Sequence, residues 1–355
     1  MRRAVLIVLF ALAVIAPAAA QDKPKTVTLT LAGYAVPREA FGDIIPLFQA
    51  KWQKETGQQV IVQESYQGSG AQSRAIVGGF EADVAALSVE PDIQRIADAK
   101  LITHDWKDNP YKGILTNSVV VLVVRPDNPR NIKDWADLTQ DGLEIITPDP
   151  ATSGGAQWNI LAAWGAALRG HVQGFDATED GATGLLQKFI PNISVLDKDG
   201  RESFLTFERG IGDVAITYEN EVYAGLLAGG EYQIVYPSST ILIQAPVALI
   251  DSYVDKHGTR EVAEAFVQYL WSPEAQRVFA QHGFRPVNPD VAKAVNVGAA
   301  PDANATPEPG QKIVIAFPPV ADQFTIDDLG GWKDARAKLF GDDGIFTKTI
   351  AEVKG

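Results

Sequence analysis

Residues 118–124 read SVVVLVV. After Ser118 no position is polar, so the segment offers no face to water and reads as a strand buried on both sides. A second segment of this kind, Ile241–Ile250 (ILIQAPVALI), is mostly apolar and interrupted at Pro246. Around these two, shorter strands alternate with helices. Val27–Leu31, Val60–Val62, Ala82–Leu87, Leu143–Thr147, Val214–Thr217 and Gln233–Tyr236 read as strands. Arg38–Thr56 carries Phe41, Ile44, Ile45, Phe48 and Trp52 at helical spacing, with Pro46 placed to kink or divide it. Gln72–Phe80, Asp92–Lys100, Trp158–Leu168, Arg260–Trp271 and Pro273–Gln281 read as further helices. This alternation predicts an α/β fold with largely parallel sheets and ligands at the carboxyl ends of the strands. The two long apolar strands are the expected crossings between two lobes. One lobe is then discontinuous, 21–117 plus 241–355, and the other is the insert 118–240. Residues 296–310 (NVGAAPDANATPEPG) read as an exposed loop.

The chain has 355 residues, enough for two domains. It carries 31 Lys+Arg against 44 Asp+Glu, a net charge of −13. Such a balance argues against sequence-independent nucleic-acid binding, which needs a basic face. Cysteine is absent, which excludes disulfides, thiolate metal sites, thiol nucleophiles and a lipobox anchor.

The first twenty residues read as a secretory leader. Arg2 and Arg3 form a basic start, Ala4–Ala16 an unbroken apolar run, and Pro17 to Ala20 a small-residue cleavage region. Cleavage is expected between Ala20 and Gln21. The apolar run is short for a membrane span. The mature chain has 29 basic and 44 acidic residues, a net charge of −15, and is expected in the periplasm as a soluble monomer.

Catalytic patterns are missing. His104, His171, His257 and His282 stand far apart among polar, turn-like neighbours and read as solvated side chains. Neither a GxxxxGK[ST] phosphate loop nor a GxSxG elbow occurs, and no cofactor or metal is implied. The chain instead places small residues between strand ends and helix starts four times. These are Gly33–Pro37, Gln67–Ala71, Ala151–Gly155 and Lys198–Glu202. Taken singly each is ordinary capping chemistry. A helix start leaves N–H groups unpartnered and carries about half a positive charge. Small residues let an anion come close to those groups, so several such starts converging on one point can hold a dianion without any Lys or Arg.

Five blocks carry a resemblance to a known family: ESYQGSGAQSRAIVGGFEADVAALS (64–88), PDNPRNIKDWADL (126–138), IITPDPATSGGAQWNILAAWGAAL (145–168), ERGIGDVAITYENE (208–221) and FTIDDLGGW (324–332). In this order and spacing the chain resembles the periplasmic sulfate-binding proteins of ABC importers. The resemblance implies a type II periplasmic-binding-protein fold, two α/β lobes joined by a hinge. It also implies closure of those lobes on a dehydrated sulfate ion, later delivered to a membrane permease. Position by position it assigns the ligand to Ala35, Ser69, Ser153, Gly154, Gly155, Gly200 and Tyr218. Ala35 stands where many members have Asp, and would act through its N–H. Gly200 stands where Ala is common. Tyr218 replaces a Trp whose indole N–H reaches the anion, and is either a phenol donor or a packed sheet aromatic. Molybdate, tungstate, thiosulfate and phosphate remain alternative ligands, and an exported sulfate- or phosphate-ester hydrolase an alternative function.

Overall fold

The computed structural model describes residues 25–295, 297 and 317–354. The expected leader lies outside them, and so does the expected loop at 296–310 apart from Val297. In chain order the elements are β1 (Thr26–Tyr34), α1 (Arg38–Thr56), β2 (Gln59–Gln67), α2 (Ser69–Val77), β3 (Val84–Ala86), α3 (Glu90–Asp98) and β4 (Ile114–Val124). Then follow β5 (Ile145–Pro148), α4 (Gly154–Leu168), α5 (Glu179–Phe189), β6 (Ile193–Asp197), α6 (Gly200–Glu208), β7 (Val214–Tyr218), α7 (Glu219–Leu227), β8 (Gln233–Val235) and β9 (Ser239–Leu249). The chain ends with α8 (Asp251–His257), α9 (Arg260–Leu270), α10 (Pro273–Gln281), β10 (Arg285–Pro286), α11 (Pro289–Ala294), β11 (Asp322–Phe324), α12 (Gly331–Phe340) and α13 (Ile345–Lys354).

Pairing runs in one path, β2–β1–β3–β9–β4–β7–β5–β6. β4 and β9 lie antiparallel at its middle, with Ser118 opposite Ile243. Beyond that contact they part. The end of β9 pairs with β3, which is parallel to β1, as β1 is to β2. The end of β4 pairs with β7, which is parallel to β5, as β5 is to β6. Two α/β lobes thus share the two strands that have no face for water; Val119–Val123 are fully buried. Within each lobe the parallel strands end on the same side, and their following helices begin there. Residues 322–354 pack on the β5–β7 side. β11 pairs with the start of β9, Trp332 meets Trp158 edge-on at 4.5 Å, and Arg169 pairs with Asp322 at 2.8 Å.

Local structure departs from expectation in two ways. Both prolines lie inside unbroken elements. Pro46 and Gly42, four residues earlier, are exposed, so the carbonyl freed by the missing N–H faces water. Pro246 sits in β9 where the β4 register shifts between Ile114 and Thr116, a bulge that tolerates the absent donor. The second departure is that α2 and α4 begin earlier, at Ser69 and Gly154 rather than Gln72 and Trp158. Their Gly- and Ser-rich first turns read as loop by propensity; Thr152 O of the other lobe accepts from Gly70 and Ala71 in α2, and α4 is capped by its own Ser153 Oγ. Only Gly68 therefore separates β2 from α2, which puts the helix start at the strand end.

Candidate oxyanion site between the lobes

The four small-residue turns meet. They line one small cavity with Tyr34, Ala35 and Val36 after β1, and Gln67, Gly68 and Ser69 after β2. From the other lobe come Ser153 and Gly155 before α4, and Asp199 and Gly200 before α6. Ser88, between β3 and α3, completes the lining. Of the residues singled out from sequence, Ala35, Ser69, Ser153, Gly155 and Gly200 line the space directly. Gly154 lies just outside it, where a Cβ would stand 2.9 Å from Ser88 Oγ. Tyr218, 3% exposed, reaches the lining through its hydroxyl, 2.7 Å from Ser88 Oγ.

Neither Lys nor Arg lines the cavity. Donors do. The leading N–H groups of a helix lack intrahelical partners, and several here are taken elsewhere. Gly70 and Ala71 donate to Thr152 O at 3.2 and 3.4 Å, Ala156 to Ser153 Oγ at 3.4 Å, and Glu202 to Asp199 Oδ1 at 3.0 Å. The N–H groups of Ser69, Gly154, Gly155 and Gly200 have no partner among the described residues. They belong to the first turns of three helices whose positive ends meet at the cavity.

Side-chain hydroxyls divide by what they already bond. Ser69 Oγ donates to buried Asp92 Oδ2 at 2.6 Å and accepts from Ser88 N–H at 3.0 Å. Its proton is committed, so Ser69 offers a ligand its backbone N–H alone. Ser153 Oγ only accepts, as the cap of α4, and its proton is free to point into the cavity. Asp199 is a carboxylate in the lining. Its Oδ1 caps α6, and the helix end it caps offsets its charge.

Contacts cross the cleft beside the cavity. Besides Thr152 O on α2, Arg201 donates to Glu39 Oε2 at 2.6 Å and lies 3.3 Å from Glu221 Oε1. Glu221 is fully buried and neither of its oxygens has an aligned hydrogen bond. Burial pushes its carboxyl up to about 7, against the pull of Arg201. Below its unfolded value near 4.5 both states hold the proton and nothing is lost. Between there and 7 only the unfolded chain releases it, so this group makes stability fall as pH rises. We expect Glu221→Gln to remove about 1–3 kcal/mol of that decline between pH 4.5 and 8, read by urea unfolding at both values. An unaltered pH dependence would refute it.

The four histidines are not simply solvated. His104 lies 2.7 Å from Asp251, His171 3.3 Å from Asp322, His257 2.9 Å from Asp83, and His282 2.8 Å from Asp43. Each ties two distant segments, a pairing invisible in local sequence. Among the described residues no group of three or more His, Asp or Glu could hold a metal ion, and no helix is long and apolar enough to cross a membrane. Ser88 was missed from sequence because no glycine marks it. Its signal is the strand Val84–Ala86 running into a helix that begins at Glu90-Pro91, the same strand-to-helix junction as the other four.

Two lobes sharing paired strands, with a donor-lined cavity between them, define the class of solute-binding proteins. The family model for bacterial extracellular solute-binding protein matches residues 29–285, and the chain belongs to that family. It is 44% identical over 330 residues to the sulfate-binding protein of Synechococcus elongatus, covering 93% of this chain and 88% of that one. It is 38% identical over 334 residues to the sulfate-binding protein of Escherichia coli K12, covering 93% and 94%. Among solved structures, the sulfate-binding protein SubI from Mycobacterium tuberculosis H37Rv superposes with a TM-score of 0.75 at 36% identity, covering 88% of this chain and 99% of that one.

Proposed function

We propose that this protein captures sulfate in the periplasm and delivers it to the membrane permease of an ABC importer, without catalysis. The observation that carries the reading is the cavity itself: helix starts and hydroxyls from both lobes, and no cationic side chain. The relatives named above, called sulfate-binding proteins, support the choice of anion. The proposed ligand set is Ala35, Ser69, Ser153, Gly154, Gly155 and Gly200, with Tyr218 at its edge through its hydroxyl. The first lobe would comprise β1–β3 with α8–α11. The second would comprise β5–β8 with the C-terminal 322–354 packed on it, and β4 and β9 would be the hinge.

Hydrogen-bond inventory favours sulfate over phosphate. Sulfate is fully ionised near neutral pH and only accepts, whereas phosphate retains a proton that needs an acceptor. The carboxylate in the lining, Asp199, is engaged as the cap of α6, its Oδ1 accepting from Glu202 N–H. A phosphate proton facing a donor leaves a buried hydrogen bond unmade, costing about 1–3 kcal/mol or more. Calorimetric titration with sulfate, thiosulfate, molybdate, tungstate and phosphate tests the assignment, and tightest binding of an anion other than sulfate would overturn it. Turnover of an aryl sulfate by the purified protein would revive the hydrolase.

Ser153→Ala removes the hydroxyl proton free for the ligand. We expect sulfate binding to weaken by about 1–3 kcal/mol, the range for a hydrogen bond to a charged group. Unchanged affinity would place Ser153 off the ligand.

A further inference from the structure

Ser88 closes β3 in the first lobe and Tyr218 ends β7 in the second. Their hydroxyls lie 2.7 Å apart and buried. Each hydroxyl carries one proton, and a single O–H···O bond uses one of the two. Neither oxygen has another partner among the described residues. One proton is therefore left over, and an unmatched donor in a buried place is costly.

Geometry decides which proton it is. Ser88 lines the cavity, while Tyr218 packs behind it. A phenol is the better donor and an alkyl hydroxyl the better acceptor, so the favoured chain runs from Tyr218 O–H to Ser88 Oγ, with the Ser88 proton turned to the cavity. The surroundings fit this direction. Ser69 Oγ already accepts from Ser88 N–H, and Trp158 Nε1 donates to Ser88 O at 2.9 Å, so the backbone of Ser88 is fixed from both sides. Gly154 leaves room for the hydroxyl at the first turn of α4, where a Cβ would crowd it.

We infer that Ser88 is a direct hydrogen-bond donor to the bound oxyanion and that Tyr218 is a positioning residue acting through it. This rests on the oxyanion reading of the cavity. The donor is supplied by a two-hydroxyl relay spanning the cleft. Because its halves sit on different lobes, the relay forms only when the lobes close.

A double-mutant cycle read by calorimetry with sodium sulfate tests the relay. Ser88→Ala should weaken binding about 10- to 100-fold. Tyr218→Phe leaves the serine proton in place and should cost about two- to fivefold. In the Ser88→Ala background that cost should vanish, whereas a purely packing role for Tyr218 would give equal effects, or none, in both backgrounds. Melting temperatures of the ligand-free variants should match the parent, and Ser88→Gly repeats the measurement if the alanine variant does not fold. Losses that multiply, or a Tyr218→Phe loss as large as that of Ser88→Ala, would make Tyr218 the direct donor and overturn the relay. So would Ser88→Ala binding within twofold of the parent. If the parent itself takes up no sulfate, the oxyanion reading fails. If the parent binds and Ser153→Ala weakens it while Ser88→Ala does not, the relay alone fails.

Discussion

Ser69→Asp is expected to leave no measurable sulfate binding. The substituted carboxylate would lie in a cavity without a cationic side chain, facing a dianion. Its oxygens would also fall against Asp92 Oδ2, which Ser69 Oγ now meets at 2.6 Å. An uncompensated buried charge costs about 3–5 kcal/mol, and here it opposes both the ligand and Asp92. The informative partner is Ser69→Ala. The hydroxyl proton belongs to Asp92 and the ligand takes only the backbone N–H, so alanine should hold affinity within about tenfold of the parent, one ordinary hydrogen bond's worth. Calorimetry on the two variants separates backbone from hydroxyl. Retained binding in Ser69→Asp would remove the α2 start from the site, and a collapse in Ser69→Ala would show that the hydroxyl itself touches sulfate.

Gly68→Ala should act as a wedge. Gly68 has φ −58° and ψ 138°, a conformation open to any residue, so its glycine is not required by the backbone. It is required by the cleft. A Cβ there would stand 2.6 Å from Thr152 O and 2.9 Å from Lys198 O, both main-chain atoms of the opposite lobe. Main chain cannot swing aside as a long side chain can, so the lobes must stay apart by a fraction of an ångström. Overpacking of this kind costs about 1–3 kcal/mol, and it bears on the closed form only. Sulfate affinity should fall about 5- to 150-fold while the melting temperature of the ligand-free protein stays put. Solution scattering should lose the compaction that sulfate induces in the parent. Normal compaction and affinity in Gly68→Ala would mean that the lobes do not approach this closely when loaded.

What sequence could and could not disclose follows the range of the forces. α1 was legible to the residue, because Phe41, Ile44, Ile45, Phe48 and Trp52 repeat the helical period and are all buried. The two shared strands were legible because they have no polar face. The starts of α2 and α4 were not, since Ser69-Gly70 and Gly154-Gly155 have poor helix propensity; the first is held by Thr152 O from across the cleft and the second by its Ser153 cap. The four glycine-marked turns could be collected from sequence as a set, yet only the fold shows that they share one cavity. Ser88 has no glycine beside it and surfaced only through its place in that cavity. Pairs such as Arg201 with Glu39 join positions that no local pattern relates. Asp199 was visible as a helix cap, but its place in the lining depends on how far the lobes come together.

The bond from α2 to Thr152 O is made by peptide groups on both sides. Such a clasp is blind to side-chain identity. Descendants of this scaffold can exchange the groups at positions 35, 88 and 218 and so change cargo, while the fastening that shuts the jaws passes on intact.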